Sequence, residues 1–124
     1  MKRTLTGLLL TLALCTPQAY AGDWSRADTQ RQIIYTALHV ADWRQTRQIA
    51  RQCGSGEYRE LNPVLGPCPS LSRVDNYFLA TGLAHYALAY LMPAPQRRYW
   101  QTATITLQVA AVGNNAAVGL RIKW

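Results

Sequence analysis

Polar and apolar positions recur at helical spacing between about Ala27 and about Gln52, yet the face they single out is not simply apolar. At 100° per residue, Tyr35, Leu38, His39, Asp42, Gln45, Thr46 and Ile49 fall within about 60° of a line through Asp42. Arg44, Arg47 and Arg51 lie on the other side. An aspartate therefore occupies the middle of the face best suited to burial. Ser25-Arg26-Ala27-Asp28 has the form of a capping box, which places the start of this helix, and Gly54 places its end.

Two long uncharged runs follow, Asn76 to Gln96 and Tyr99 to Leu120, parted by Arg97-Arg98 and preceded at the break by Pro93 and Pro95. Each approaches the roughly 20 residues that cross a bilayer. The pattern predicts an all-α chain: an amphipathic first helix, a loop, then an apolar two-helix hairpin with membrane helices at about 76–95 and 99–120. Tyr77, Phe78, Tyr99 and Trp100 near the ends suit interfacial anchors, as do Trp24, Trp43 and Trp124, and Arg97 and Arg98 would mark the cytoplasmic side. A soluble bundle is the competing reading, because Thr81, His85, Gln101, Gln108 and Asn114-Asn115 interrupt the apolar runs. At the C-terminus, Val118, Leu120, Ile122 and Trp124 alternate with Gly119, Arg121 and Lys123, the period of a short strand. Such a strand resembles the last strand of outer-membrane barrels, but no other stretch alternates and a barrel needs many strands, which argues against a barrel from this chain alone.

The N-terminus sets the compartment. Lys2 and Arg3, a Leu-rich run to Cys15, and Ala19-Tyr20-Ala21 follow the order of a cleaved secretory signal over residues 1–21, leaving a single small domain over 22–124. An uncleaved anchor is the second reading, and lipidation at Cys15 the third, since Leu14 departs from the lipid-attachment box. After cleavage, Cys53 and Cys68 remain as a candidate disulfide in an oxidising compartment. It would close a loop with three Gly and three Pro between Cys53 and Arg73, a constraint worth roughly 3 kcal/mol.

Charge narrows the partners. The 124 residues carry 13 Lys and Arg against 6 Asp and Glu, a net +7, which becomes +5 once Lys2 and Arg3 are removed. For an exported chain this excludes nucleic acid and points to anionic headgroups, or to a solvated basic face. The expected partners are membrane lipids, and another envelope protein or a second copy of the chain. The expected location is the inner membrane with the loop in the periplasm, with a soluble periplasmic or outer-membrane-associated state as alternatives.

Candidate chemistry centres on His39, Asp42, Glu60 and His85. His39, Asp42 and Thr46 share a helical face, and an Asp beside a His can orient the ring for acid–base work. The nucleophile is missing: there is no Gly-x-Ser-x-Gly, the cysteines are paired in this reading, and Ser70 and Ser72 have no distinctive context. No His-Glu-x-x-His is present and no metal or cofactor is implied. The favoured reading is structural, a buried polar cluster of Asp42, Gln45, Thr46, Asn62, Asn114 and Asn115 that fixes how helices dock.

Asp42-x-x-Gln45-Thr46, Glu60-x-Asn62-Pro63-x-Leu65-Gly66, Pro69-Ser70, Tyr77-Phe78 and Asn114 or Asn115 resemble the pattern of a class of small, uncharacterised bacterial exported or membrane proteins. The resemblance implies about three helices and one shared polar cluster, and carries no activity. Together these readings predict a non-enzymatic structural or accessory protein of the envelope, with a small hydrolase or metal-dependent enzyme as the alternative.

Overall fold

A computed structural model describes residues 23–122. The expected signal at 1–21, and Lys123 and Trp124 of the C-terminal alternation, lie outside the described residues. Three helices form: α1 (Arg26–Gln52), α2 (Leu71–Leu91) and α3 (Ala94–Ala117), with a single 3-10 turn at Cys53–Ser55. The all-helical architecture follows the periodicity of the sequence. No strand forms among the described residues: α3 runs to Ala117, and the chain turns through Gly119 at φ 94°.

Local chemistry sets each boundary. At the start of α1 the Ser25 hydroxyl accepts from the Asp28 amide at 3.1 Å, while the Asp28 carboxylate accepts from the Ser25 amide at 2.9 Å, the reciprocal capping box. Helix α2 starts five residues before Asn76 because Ser70 caps it, accepting from the Arg73 amide at 3.2 Å. It stops at Leu91, before Pro93. Helix α3 begins at Ala94, ahead of the expected Tyr99, since a proline in the first turn removes no helical hydrogen bond. Cys53 and Cys68 are bonded, with Cα atoms 5.6 Å apart, and close the α1–α2 loop.

The helices run up, down and up. His39 meets Phe78 while Gln32 meets His85, so α2 is antiparallel to α1. Asp28 pairs with Arg97 and Gln101, His39 with Gln108, and Asp42 with Asn115, so α3 lies parallel to α1. Helix α1 packs extensively on both others, whereas α2 and α3 touch only sparsely. The close approach of α1 and α2 depends on Gly82, where a Cβ would come within 3.2 Å of the His39 Nε2.

The interior mixes apolar and polar side chains. Leu65, Val74 and Phe78 form a small apolar cluster at the loop end, flanked by Trp43, Ala50 and Tyr77. Along the rest of the bundle the buried side chains include Asp28, His39, Gln45, His85, Arg97 and Gln101. Among the described residues, no helix is long and apolar enough to cross a membrane, which corrects the expected spans at 76–95 and 99–120. The reason is on the inner faces, where His85, Gln101, Thr104, Gln108 and Asn115 lower the hydropathy of α2 and α3.

Arg97 is also corrected: it is no membrane flank but is fully buried, at 0% exposure. Its guanidinium donates to the Ala89 and Met92 carbonyls, both at 2.8 Å, and to the carboxylates of Asp23 at 2.7 Å and Asp28 at 3.2 Å. The side chain thus ties the α2–α3 turn to the start of α1. Burial alone would raise the Asp28 pKa, but hydrogen bonds from Ser25, Arg31 and Arg97 bring it down to about 2. Replacing Arg97 by Met should therefore destabilise the fold by about 3 kcal/mol, because it leaves the Ala89 and Met92 carbonyls without their donor and Asp28 with Arg31 as its remaining arginine, while Arg98→Ala on the exposed side should change it by less than about 0.5 kcal/mol. Urea denaturation midpoints check this, and equal, small effects of the two would contradict it.

Candidate functional site

The polar interior divides into a seam along the bundle and a cleft at its loop end. Heptad spacing builds the seam: Asp28, Tyr35 and Asp42 recur every seventh residue on α1, and Gln101, Gln108 and Asn115 do so on α3. Parallel helices with matching seven-residue repeats bring like levels face to face. Gln101 donates to the Asp28 carbonyl at 3.1 Å and accepts from the Arg31 Nε at 3.0 Å. Asn115 donates to the Asp42 Oδ1 at 3.1 Å and to the Gln45 Oε1 at 3.2 Å, and Gln45 donates to the Val112 carbonyl.

Both histidines belong to the middle of this seam. The His85 ring is stacked on Tyr35, centroids 3.4 Å apart, with Trp100 on the other side at 5.3 Å. Its Nε2 lies 2.8 Å from the Thr104 hydroxyl, which donates onward to the Trp100 carbonyl; the ring is therefore the donor there, and its Nδ1 accepts from Gln32 at 3.3 Å. For His39, Nε2 donates to the Phe78 carbonyl and Nδ1 accepts from Gln108, each at 2.9 Å. Each ring thus faces a donor with its second nitrogen, so protonation would set two N–H groups against each other. Burial pushes the His39 pKa below its usual value, and burial followed by the proximity of His39 brings His85 down to about 4.

The cleft, about 530 Å3, lies between the loop end of the bundle and the disulfide-closed loop. Asp42, Thr46, Glu60, Asn62, Asn114 and Asn115 line its polar side, and Ile49, Leu65, Phe78 and Leu120 its apolar side. The loop holds its shape through the Asn62 carbonyl, which accepts the Leu65 and Gly66 amides, and through Glu60, whose Oε1 accepts the Asn62 amide at 2.7 Å. Gly66 takes φ 79° to make this turn. Burial, then the Glu60 charge, raises the Asp42 pKa to about 6, against the lowering effect of hydrogen bonds from Asn115 and Thr46.

The four candidates for chemistry do not converge. Asp42 and Glu60 face the cleft, while the His39 and His85 rings are engaged in the seam, His39 with Gln108 rather than Asp42. Of the expected polar cluster, Asp42, Gln45 and Asn115 are hydrogen-bonded together, and Thr46 joins them on Asp42. Asn62 and Asn114 line the same cleft, with the Asn62 side chain capping the Val64 amide at 2.9 Å. No group of three or more His, Cys, Asp or Glu side chains among the described residues is placed to hold a metal. The sequence reading missed Gln101 and Gln108 as partners of the first helix, and Tyr35 as the plate on which His85 stacks; the amide every seventh residue of an otherwise uncharged run was the available signal.

Comparison of the chain with protein families, with curated proteins and with solved structures gives no match. The geometry alone therefore carries the reading that follows.

Opposed titrations give the site a testable signature. The folded His85 pKa of about 4 lies below the unfolded value of 6.5, so its contribution is intact above pH 6.5 and is lost as pH falls from there to about 4. Asp42 has the opposite sign: its pKa is about 6 folded against 3.8 unfolded, so acid relieves the cost of its burial over nearly the same range. Each effect amounts to at most about 3 kcal/mol. Asp42→Asn should steepen the loss of stability between about pH 6 and about pH 4, and His85→Gln should flatten it. Urea midpoints measured across that range check both; an unchanged slope in Asp42→Asn would contradict the assignment.

Proposed function

We propose that this chain is a non-enzymatic structural or accessory component of the bacterial cell envelope, held against lipid by the outer sides of its α2–α3 hairpin. One observation carries the reading: the α2–α3 hairpin leaves large apolar side chains exposed while polar groups take half of the buried positions. Leu83 is 71% exposed, Leu91 63% and Leu107 70%, while Arg97, Gln45 and Gln101 are at most 1% exposed. In water this distribution forgoes hydrophobic burial; against acyl chains it hides the polar groups and leaves the leucines in a matching solvent.

Charge placement supports the same assignment. Arg97 is buried, so Arg98 is the one formal charge exposed between Asn76 and Leu120. Of the remaining basic residues of the described chain, Arg26, Arg51, Arg59, Arg73 and Arg121 lie at the helix ends and in the loops. That surplus suits anionic headgroups. Tyr86 and Tyr90, joined by Trp24, form an aromatic group near one end of α2, where an interface would hold them. The bundle meets lipid as a folded unit in this reading, with its polar inner faces covered by α1. The Cys53–Cys68 bond suits an exported location.

The full chain, expressed in a bacterial host, should remain with membranes through an alkaline-carbonate wash, and the purified protein should sediment with vesicles containing anionic lipid. Introducing Leu83→Glu and Leu107→Glu together should lower the vesicle-bound fraction about tenfold with helical circular dichroism unchanged. A chain that washes free and ignores vesicles, including one that covers this surface by dimerising, would overturn the proposal.

A further inference from the structure

The acidic residues of the chain fall into two sets. Asp23, Asp28 and Asp75 are each paired with an arginine, Asp23 and Asp28 with Arg97 and Asp75 with Arg47. Among the described residues Asp42, Glu57 and Glu60 take part in no ion pair, and all three line the one cleft beneath the disulfide loop. The basic residue at its wall, Arg59, is exposed and pairs with none of them. The cleft is also no bare acidic surface: its volume of about 530 Å3 suits a small organic molecule, and half its wall is apolar.

We infer that this cleft binds an organic cation, a primary ammonium carried on an apolar body, with Asp42 and Glu60 taking the ammonium and Ile49, Leu65 and Phe78 the body. Asp42 receives hydrogen bonds only from the neutral groups of Asn115 and Thr46, so its charge awaits a counterion. Three ammonium hydrogens match two carboxylates with one neutral acceptor such as the Asn114 side chain, which lines the same wall. A divalent metal would demand six or more oxygen ligands or a tight three-residue group, and the described residues offer no such group. The apolar wall adds transfer energy that an inorganic ion cannot use.

Protonation of Asp42 then competes with the ligand. The titratable groups around it are Glu57, Tyr58, Arg59 and Glu60 from the loop and His39 one turn earlier on α1, while α3 presents only amides and apolar groups there. Because acid neutralises Asp42 over this range, affinity for the cation should fall about tenfold between about pH 7 and about pH 5.

The inference is independent of the lipid contact, and its test uses no vesicles. The disulfide-intact chain in mild detergent would be titrated calorimetrically with hexylammonium, and in parallel with hexan-1-ol and with calcium chloride. Saturable binding of hexylammonium, weakened about tenfold or more in both Asp42→Asn and Glu60→Gln and lost towards about pH 5, is the expected result. Glu60→Gln guards against a folding defect at Asp42, and thermal midpoints verify both variants. Absence of saturable hexylammonium binding, equal binding of hexan-1-ol, or tighter binding of calcium would overturn the inference.

Discussion

Buried amides, carboxylates and rings along α1 must find hydrogen-bond partners, and α3 supplies them level by level. The Asp28 carbonyl meets Gln101, His39 meets Gln108, and Asp42 with Gln45 meets Asn115, each step one heptad further along α3. A slip of one residue would leave several of these groups unpaired inside the bundle, at about 1–3 kcal/mol for each orphan. Apolar contacts have no such register, so a seam of this kind fixes the helix order and the parallel pairing of α1 with α3. Arg97 closes one end of the seam and the Leu65–Val74–Phe78 cluster, under its disulfide loop, closes the other.

The outward faces follow from the same constraint. Gln101, Gln108 and Asn115 of α3 and His85 of α2 turn towards α1, while Leu79, Leu83, Leu91, Leu107 and Val109 stay outside. These polar groups interrupt the two uncharged runs, and among the described residues no helix is apolar enough to cross a membrane. Asp42 sits where the seam opens into the cleft, so one residue serves both as a seam partner of Asn115 and as a wall of the cavity.

Much of this was legible in the chain. The capping box at Ser25, the amphipathic period through Asp42, the prolines at the hairpin turn and the isolated cysteine pair each specify local structure through short-range physics, and those elements form as read. Asp42 beside Gln45, Thr46 and Asn115 was legible too, since a carboxylate on a burial face demands donors. What sequence concealed was long-range. Arg97 looks like a flanking charge until the fold brings Asp28, 69 residues earlier, within 3.2 Å. His39 lies three residues from Asp42, yet its ring is oriented by Phe78 and Gln108 on other helices, which spacing along α1 could not reveal.

In the proposed arrangement the exposed leucines of α2 and α3 face lipid. Nitroxide labels placed at Leu83 and Leu107 in the full chain, reconstituted in anionic bilayers, test it most directly by their relative accessibility to oxygen and to a water-soluble nickel chelate, with exposed Ser55 on the loop as the aqueous reference. High oxygen and low chelate accessibility are expected at both leucines, and the reverse at Ser55. Chelate accessibility at Leu83 and Leu107 equal to that of Ser55 would place these faces in water and contradict this arrangement.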